Sequence, residues 1–247
     1  MPSKATGQDR ARRARSLLAL DAAGSACSAA VWRDGALRAR RFEVMTRGQS
    51  ERLVPMIEEV MREAGLTYEA LDAVAVTRGP GGFTGVRIGL ATARALALAW
   101  ARPLIGLSNF EAVAFAVPES ERRGRVLAVL LDAKRSELYA QAFSEDLAPL
   151  TEAGALAPEA LCRALPAGPL VLAGDAVDQA MPALRAAGRE VLAAASPGHA
   201  DAAYIAEAAA ARPLPAPGAP PPQPIYLRDP DVTLPKAAGP ARAREAS

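Results

Sequence analysis

Two aspartates close apolar runs and stand before tight turns: Asp21 after SLLAL and Asp132 after VLAVLL. A carboxylate at a strand end can accept a hydrogen bond from the amides of the turn that follows it. Between the two lies a glycine loop, RGPGGFTGVRIG over 78–89, which follows an apolar run and opens a helix. That position suits an anion, because the first turn of a helix presents unpaired N–H groups. The side chains do not complete the chemistry. A triphosphate-gripping loop needs a lysine and a hydroxyl after its last glycine, whereas Gly85 is followed by Val86 and Arg87. A dinucleotide fingerprint needs a third glycine where Thr84 follows Gly79 and Gly81.

Other reactive groups are few. The one histidine, His199, sits in a Ser-Pro-Gly-His turn. A surface turn residue is the simple reading. Cys27 and Cys162 lie far apart with no CxxC spacing, which argues against a disulfide framework or a zinc site and makes both packing residues. The residues alone therefore nominate no catalytic group and no metal ligand.

The elements that must position these groups follow from periodicity. SLLALD (16–21), ACSAAVW (26–32) and ALRARRFE (36–43) read as a three-stranded meander, with Asp34-Gly35 as the hairpin turn. Ser50 opens a helix in which Leu53, Met56, Ile57, Val60, Met61 and Ala64 share one face, and Gly65 stops it. AVAVT (73–77) is a buried strand, and the helix after the glycine loop runs to about Ala101. A short strand PLIGL and a helix over 108–117 come next, and the polar stretch 118–125 is a candidate boundary between lobes. VLAVLLD (126–132) and ELYAQAF (137–143) then repeat the opening theme of strand, aspartate, turn and strand. The repetition suggests a duplication. From 158 to 211 the pattern is helical, broken by a strand and turn, LVLAGDA. The stretch 212–224 holds seven prolines and must run extended across the surface. The first fifteen residues are basic, without the apolar middle of a signal peptide, and read with 237–247 as frayed tails.

The helix after the glycine loop is almost uncharged. Gly85, Gly89, Ala93, Ala97 and Ala101 recur every four residues and leave a groove that admits another element closely. Val86, Leu90, Ala93, Ala97 and Trp100 form an apolar stripe. Such a helix is either covered by its own sheet and neighbour, or joins the helix at 50–65 in a face that packs on a second chain. The second reading predicts that Leu53→Glu or Leu90→Arg weakens a dimer while the lobe stays folded.

Composition bounds the function. The 29 basic and 27 acidic residues nearly cancel, so no strong field holds a polyanion. No apolar run reaches membrane-spanning length, and the free cysteines suit a reducing cytoplasm.

Taken in order, LLALDAAG, VTRGPGGFTGVRIGLATARAL, LLDAKRSELYAQAF, LAGDA and PIYLRDPDVTLPK resemble the bacterial TsaB (YeaZ) family, over about Leu17 to Lys236. The resemblance implies an α/β, actin-like ATPase (ASKHA, ribonuclease H-like) fold in two duplicated lobes. The first lobe would be 16–117, with the partner-binding helices, and the second 118–211, while 212–236 docks on the body through Tyr226 and Arg228. It also implies a non-catalytic, dimerizing and activating subunit of the machinery that makes threonylcarbamoyladenosine in tRNA. The partners implied are a TsaD-type catalytic paralogue and a TsaE-type ATPase, with self-association of the isolated chain left open. ATP or ADP would be used by the assembled complex, no cofactor would be intrinsic, and tRNA would be met only through that complex. The implied interface comprises Leu53, Met56, Ile57, Val60 and Met61 with Val86, Leu90, Ala93, Ala97 and Trp100. Gly79, Gly81, Gly82, Gly85 and Arg87 form the rigid entry to the second helix.

The chain departs from the nucleotide-binding relatives of this fold. Its first turn, Ala22-Ala23-Gly24, has no side-chain hydroxyl before Ser25, and Lys134-Arg135 crowd the second. That leaves only weak nucleotide binding open, at Asp21, Gly24 and Asp132. The rival reading from another class is a stand-alone kinase or ATPase of the same fold. A glycoprotease reading lacks the histidine pair that its metal would need.

Overall fold

The computed structural model describes residues 15–228, Pro197 excepted. Nearly all of the expected basic tail (1–14), residues 229–236 of the C-terminal motif and the tail 237–247 lie outside the described residues.

Among the described residues, ten strands form two five-stranded sheets. In the first, β1 (Ser16–Asp21), β2 (Ala26–Arg33) and β3 (Ala36–Val44) are an antiparallel meander, and β4 (Ala73–Thr77) and β5 (Leu104–Leu107) add in parallel beside β1. Asp34 and Gly35 both take positive φ, 54° and 80°, as a two-residue turn matched to strand twist requires. The second sheet repeats the plan with β6 (Val126–Asp132), β7 (Leu138–Phe143), β8 (Gly154–Leu156), β9 (Leu170–Ala173) and β10 (Val191–Ala193). Counted from the meander edge, both sheets run third, second, first, fourth, fifth, with the same mix of antiparallel and parallel pairs. This is the duplicated α/β plan that the repeated strand and aspartate foreshadow.

The central strands are apolar on both faces because both faces are covered. On one side Leu18, Leu20, Val74 and Val76 meet α1 (Gln49–Glu63) and α2 (Phe83–Ala99), the two crossover helices. On the other side Leu17, Ala19, Ala73 and Ala75 meet α7 (Ala202–Ala210). The alternation is that of a strand with period two.

The closing helices change lobes. α3 (Asn109–Phe115), which leaves the first sheet, sets Phe110, Val113 and Ala114 against Leu127, Val129 and Val171 of the second. α7, which leaves the second sheet, lies under the first. The expected partition at 117/118 and 211 differs from the structure here. Chain continuity assigns each helix to the preceding strand, but each buries its apolar face on the opposite sheet. Ser108 starts α3 with a reciprocal cap: its Oγ accepts from Glu111 N at 3.1 Å, and Glu111 Oε2 accepts from Ser108 N at 2.6 Å.

Residues 158–211 are less helical than the alanine-rich sequence suggests. They hold a single 3-10 turn (Pro158–Ala160), the short α5 (Leu161–Ala164), α6 (Val177–Ala186) and α7. α4 (Glu119–Arg122) is one turn inside the polar boundary stretch. Pro166, Gly168 and Gly188 interrupt the helical pattern, and β8 and β10 are three-residue strands too short to leave a periodic signal.

Candidate functional site

The turns after β1 and β6, the glycine loop and the start of α1 surround one cleft of about 480 Å³ between the lobes. Asp21, Gly24 and Asp132 all line it, with Ser25, Arg47, Lys134, Asp175 and His199. His199, expected as a plain surface residue, is therefore a cleft residue, its Nδ1 3.7 Å from Asp175 Oδ2. Among the described residues no cluster of three or more His, Cys, Asp or Glu is placed to hold a metal.

The two strand-end aspartates have opposite electrostatics. Asp21 is 1% exposed. Its Oδ1 accepts a short hydrogen bond from Thr77 Oγ1 and longer ones from Ala23 N (3.3 Å) and Asn109 Nδ2 (3.4 Å). Oδ2 has no partner among the described residues. Burial pushes the carboxyl up to about 6, against those three hydrogen bonds and with help from the charge of Asp201. Asp132 also feels burial, but Lys134 outweighs it and holds the carboxyl below the usual range. Lys134 N donates to Asp132 Oδ1 at 2.6 Å, and its Nζ donates to Asp132 Oδ2 and, across the cleft, to Ser25 Oγ, both at 2.8 Å. The backbone of Lys134 is left-handed, with φ 59°.

The glycine loop is glycine-rich because of what it touches. A Cβ at Gly81 would overlap the carbonyl oxygen of Ala23, and one at Gly85 that of Ala22. Gly82 N donates to Ala23 O at 2.8 Å, so this amide is already committed to the Asp21 turn. At Gly89 the fit relaxes: a Cβ there would stand 3.7 Å from Ala22 N and from Val76, an ordinary van der Waals contact. The small-residue series of α2 thus seats the helix on the β1 turn and the sheet. Arg87 lies over the Phe83 ring at 3.2 Å and 5.3 Å from that of Tyr226.

The stripe expected to face a second chain faces the chain's own sheet. Leu53, Met56, Ile57, Val60, Met61, Val86, Leu90, Ala93 and Ala97 are all buried in the first core, and Trp100 stacks on Tyr68 at 4.1 Å. Periodicity identifies residues that share a face, but not what covers it. The outward faces carry Val54, Pro55, Glu58 and Arg62 on α1, and Ala91, Ala95 and the 84% exposed Leu98 on α2. Leu53→Glu and Leu90→Arg would therefore strike the core.

Tyr226 approaches Phe83 at 5.6 Å, and Arg228 forms a short ion pair with Glu137. Thr77, Asn109 and the bridging role of Lys134 were not apparent from the residues. The position of Thr77 as the last strand residue before the glycine loop was the available signal.

A family model described as TsaD: tRNA N6-adenosine threonylcarbamoyltransferase matches residues 43–180, more than half of the chain. An Escherichia coli (strain K12) protein named tRNA threonylcarbamoyladenosine biosynthesis protein TsaB is 38% identical over 130 residues, 53% of this chain and 55% of that one. A Haemophilus influenzae protein of the same name is 40% identical over 123 residues, covering 50% and 51%. The chain spans about half the length of the curated relatives it matches. The solved structure of YeaZ from Pseudomonas aeruginosa superposes with a TM-score of 0.67 at 29% identity, covering 86% of this chain and all of that one. Among the described residues no helix is long and apolar enough to cross a membrane.

Proposed function

Because the chain belongs to the family that the TsaD: tRNA N6-adenosine threonylcarbamoyltransferase model describes, we propose that it is a cytoplasmic subunit of the machinery for tRNA threonylcarbamoyladenosine biosynthesis. On this reading it activates a TsaD-type paralogue that performs the transfer. The observation that carries the proposal is its likeness to the Escherichia coli and Haemophilus influenzae proteins named for that biosynthesis.

A non-catalytic role fits the chemistry of the cleft. The sequence contains one histidine, Asp21 is sealed from solvent, and Asp132 is engaged by Lys134. ATP or ADP belongs, on this reading, to the assembled complex and its TsaE-type ATPase, and tRNA is met through the paralogue. The docking face is assigned to the outward sides of α1 and α2, centred on Val54 and Leu98, which are 48% and 84% exposed. A second copy of the chain would use the same face when the paralogue is absent.

Co-purification with the TsaD-type paralogue of the same organism, followed by transfer assays with and without this chain, tests the proposal. A complex whose affinity falls at least about tenfold, roughly 1.4 kcal/mol, in Leu98→Glu is the expected result. Transfer to tRNA by this chain unaided would refute the accessory role.

A further inference from the structure

The proline-rich segment and the residues after it touch both lobes, an arrangement that the core of neither lobe requires. On the first lobe, Arg94 Nη2 donates to Pro222 O at 2.6 Å. The Pro222 ring lies against Gly106 of β5, where a Cβ would stand 2.6 Å from the proline Cβ. Ile225 N donates to Arg78 O at 2.7 Å, and Ile225 O lies so close to Gly79 that a Cβ there would be 2.7 Å away. Within three further residues the chain is on the second lobe. Leu227 packs on the apolar cluster that covers the second sheet. Arg228 pairs with Glu137, and its guanidinium lies 5.8 Å from the centroid of the Tyr139 ring.

From these contacts we propose that residues 222–228 act as a strap that fixes the spacing of the two lobes and so the opening of the cleft between them. The chain crosses between the lobes twice already, before β6 and before α7, and crossings of that kind can act as hinges. The strap adds a third tie, anchored beside Gly79, one residue before the loop that lines the cleft. Its composition suits the task. Pro222 and Pro224 within it, with Pro220 and Pro221 just before it, fix φ in the free chain, so little conformational freedom is lost on docking. Gly79 and Gly106 are the complementary features on the body, since a side chain at either position would push the strap away. Tyr226, against Phe83, holds the middle of the span.

The test is an interlobe distance measurement by pulsed electron paramagnetic resonance. Spin labels go on Ala70→Cys in the first lobe and Ala186→Cys in the second, both exposed positions. Cys162 is replaced by Ser, and Cys27 is buried away from the label. The parent should give one narrow distance distribution. Arg228→Glu, which sets two carboxylates against each other, should at least double its width, and the exchanged pair Arg228→Glu with Glu137→Arg should restore it. Arg228→Gln removes the charge without adding repulsion, and reports the same loss if the reversed charge unfolds the chain. An unchanged width in Arg228→Glu or Arg228→Gln, or a broadening that the exchanged pair does not reverse, overturns the strap.

Discussion

The two lobes share a strand order but not an electrostatic plan or a covering layer. In the first, the central strand ends on a carboxyl sealed behind Thr77 and Asn109. In the second, the equivalent strand ends on a carboxyl held by Lys134 at the rim of the cleft. The crossover helices differ as well. α1 and α2 have 15 and 17 residues, against 4 and 10 for α5 and α6. At 1.5 Å per residue the first pair reaches about 22–26 Å and spans its whole sheet, while the second pair covers part of one. Duplicated topology therefore fixes where the aspartates sit but not what they do. It also leaves the first lobe alone with long helices whose outer sides are free for a second role.

The largest effect expected from this comparison separates the inner and outer sides of those helices. Leu53 is fully buried, so Leu53→Glu forfeits its apolar burial and desolvates a carboxylate. A loss beyond about 5 kcal/mol follows, comparable to the whole stability of many domains. Leu98→Glu, on the same two-helix unit but facing outward, should change stability by less than about 0.5 kcal/mol. Urea unfolding of both variants measures the contrast. A folded, stable Leu53→Glu chain would return the inner stripe to the role of a docking face.

That contrast marks what could be read from the residues alone. The strands carrying Asp21 and Asp132, the Asp34-Gly35 hairpin and the apolar side of α1 are encoded locally, by runs, turns and period, and all are legible. The destination of the apolar stripe is not local. Leu53 and Leu90 present the same pattern whether a sheet or a partner covers them, and only the approach of α2 to Ala22 and Val76 decides it. The exchange of α3 and α7 between lobes is hidden for the same reason. The pairing of Lys134 with Ser25 depends on a left-handed backbone at a non-glycine residue, which no sequence period signals.

A second, smaller effect tests the buried carboxyl. The ordinary aspartate value of 3.8 applies to Asp21 in the unfolded chain and about 6 in the folded one. Between these values the folded state holds the proton more tightly. The stabilisation from this group is therefore fully present below about pH 4 and is lost as pH rises through about 6, by roughly 3 kcal/mol in all. Asp21→Asn should remove the dependence, so that the variant gains on the parent as pH rises from 4 to 8. Asp132→Asn should do the reverse. Its carboxyl is held low, so the parent has the advantage at neutral pH and loses it as pH falls through the folded value of Asp132. Urea unfolding from pH 8 down to below the ordinary aspartate value of 3.8 gives both curves, and a pH-independent difference for Asp21→Asn would contradict a buried, proton-binding carboxyl.

The smallest effect comes from removing the cation that distinguishes the second lobe. Lys134 is 62% exposed along its side chain, so water screens its pair with Asp132, and Lys134→Ala should cost no more than about 1 kcal/mol, fading with added salt. The carboxyl itself responds more clearly than global stability. Without Lys134 Nζ the lowering influence on Asp132 is reduced while the effect of burial, which raises it, remains. Its titration should therefore move upward, in the direction already taken by Asp21. Carboxyl carbon NMR titration of the variant reads that movement directly. If Asp132 titrates as in the parent, the lysine does not set its charge, and the asymmetry between the lobes must come from the backbone of the turns instead.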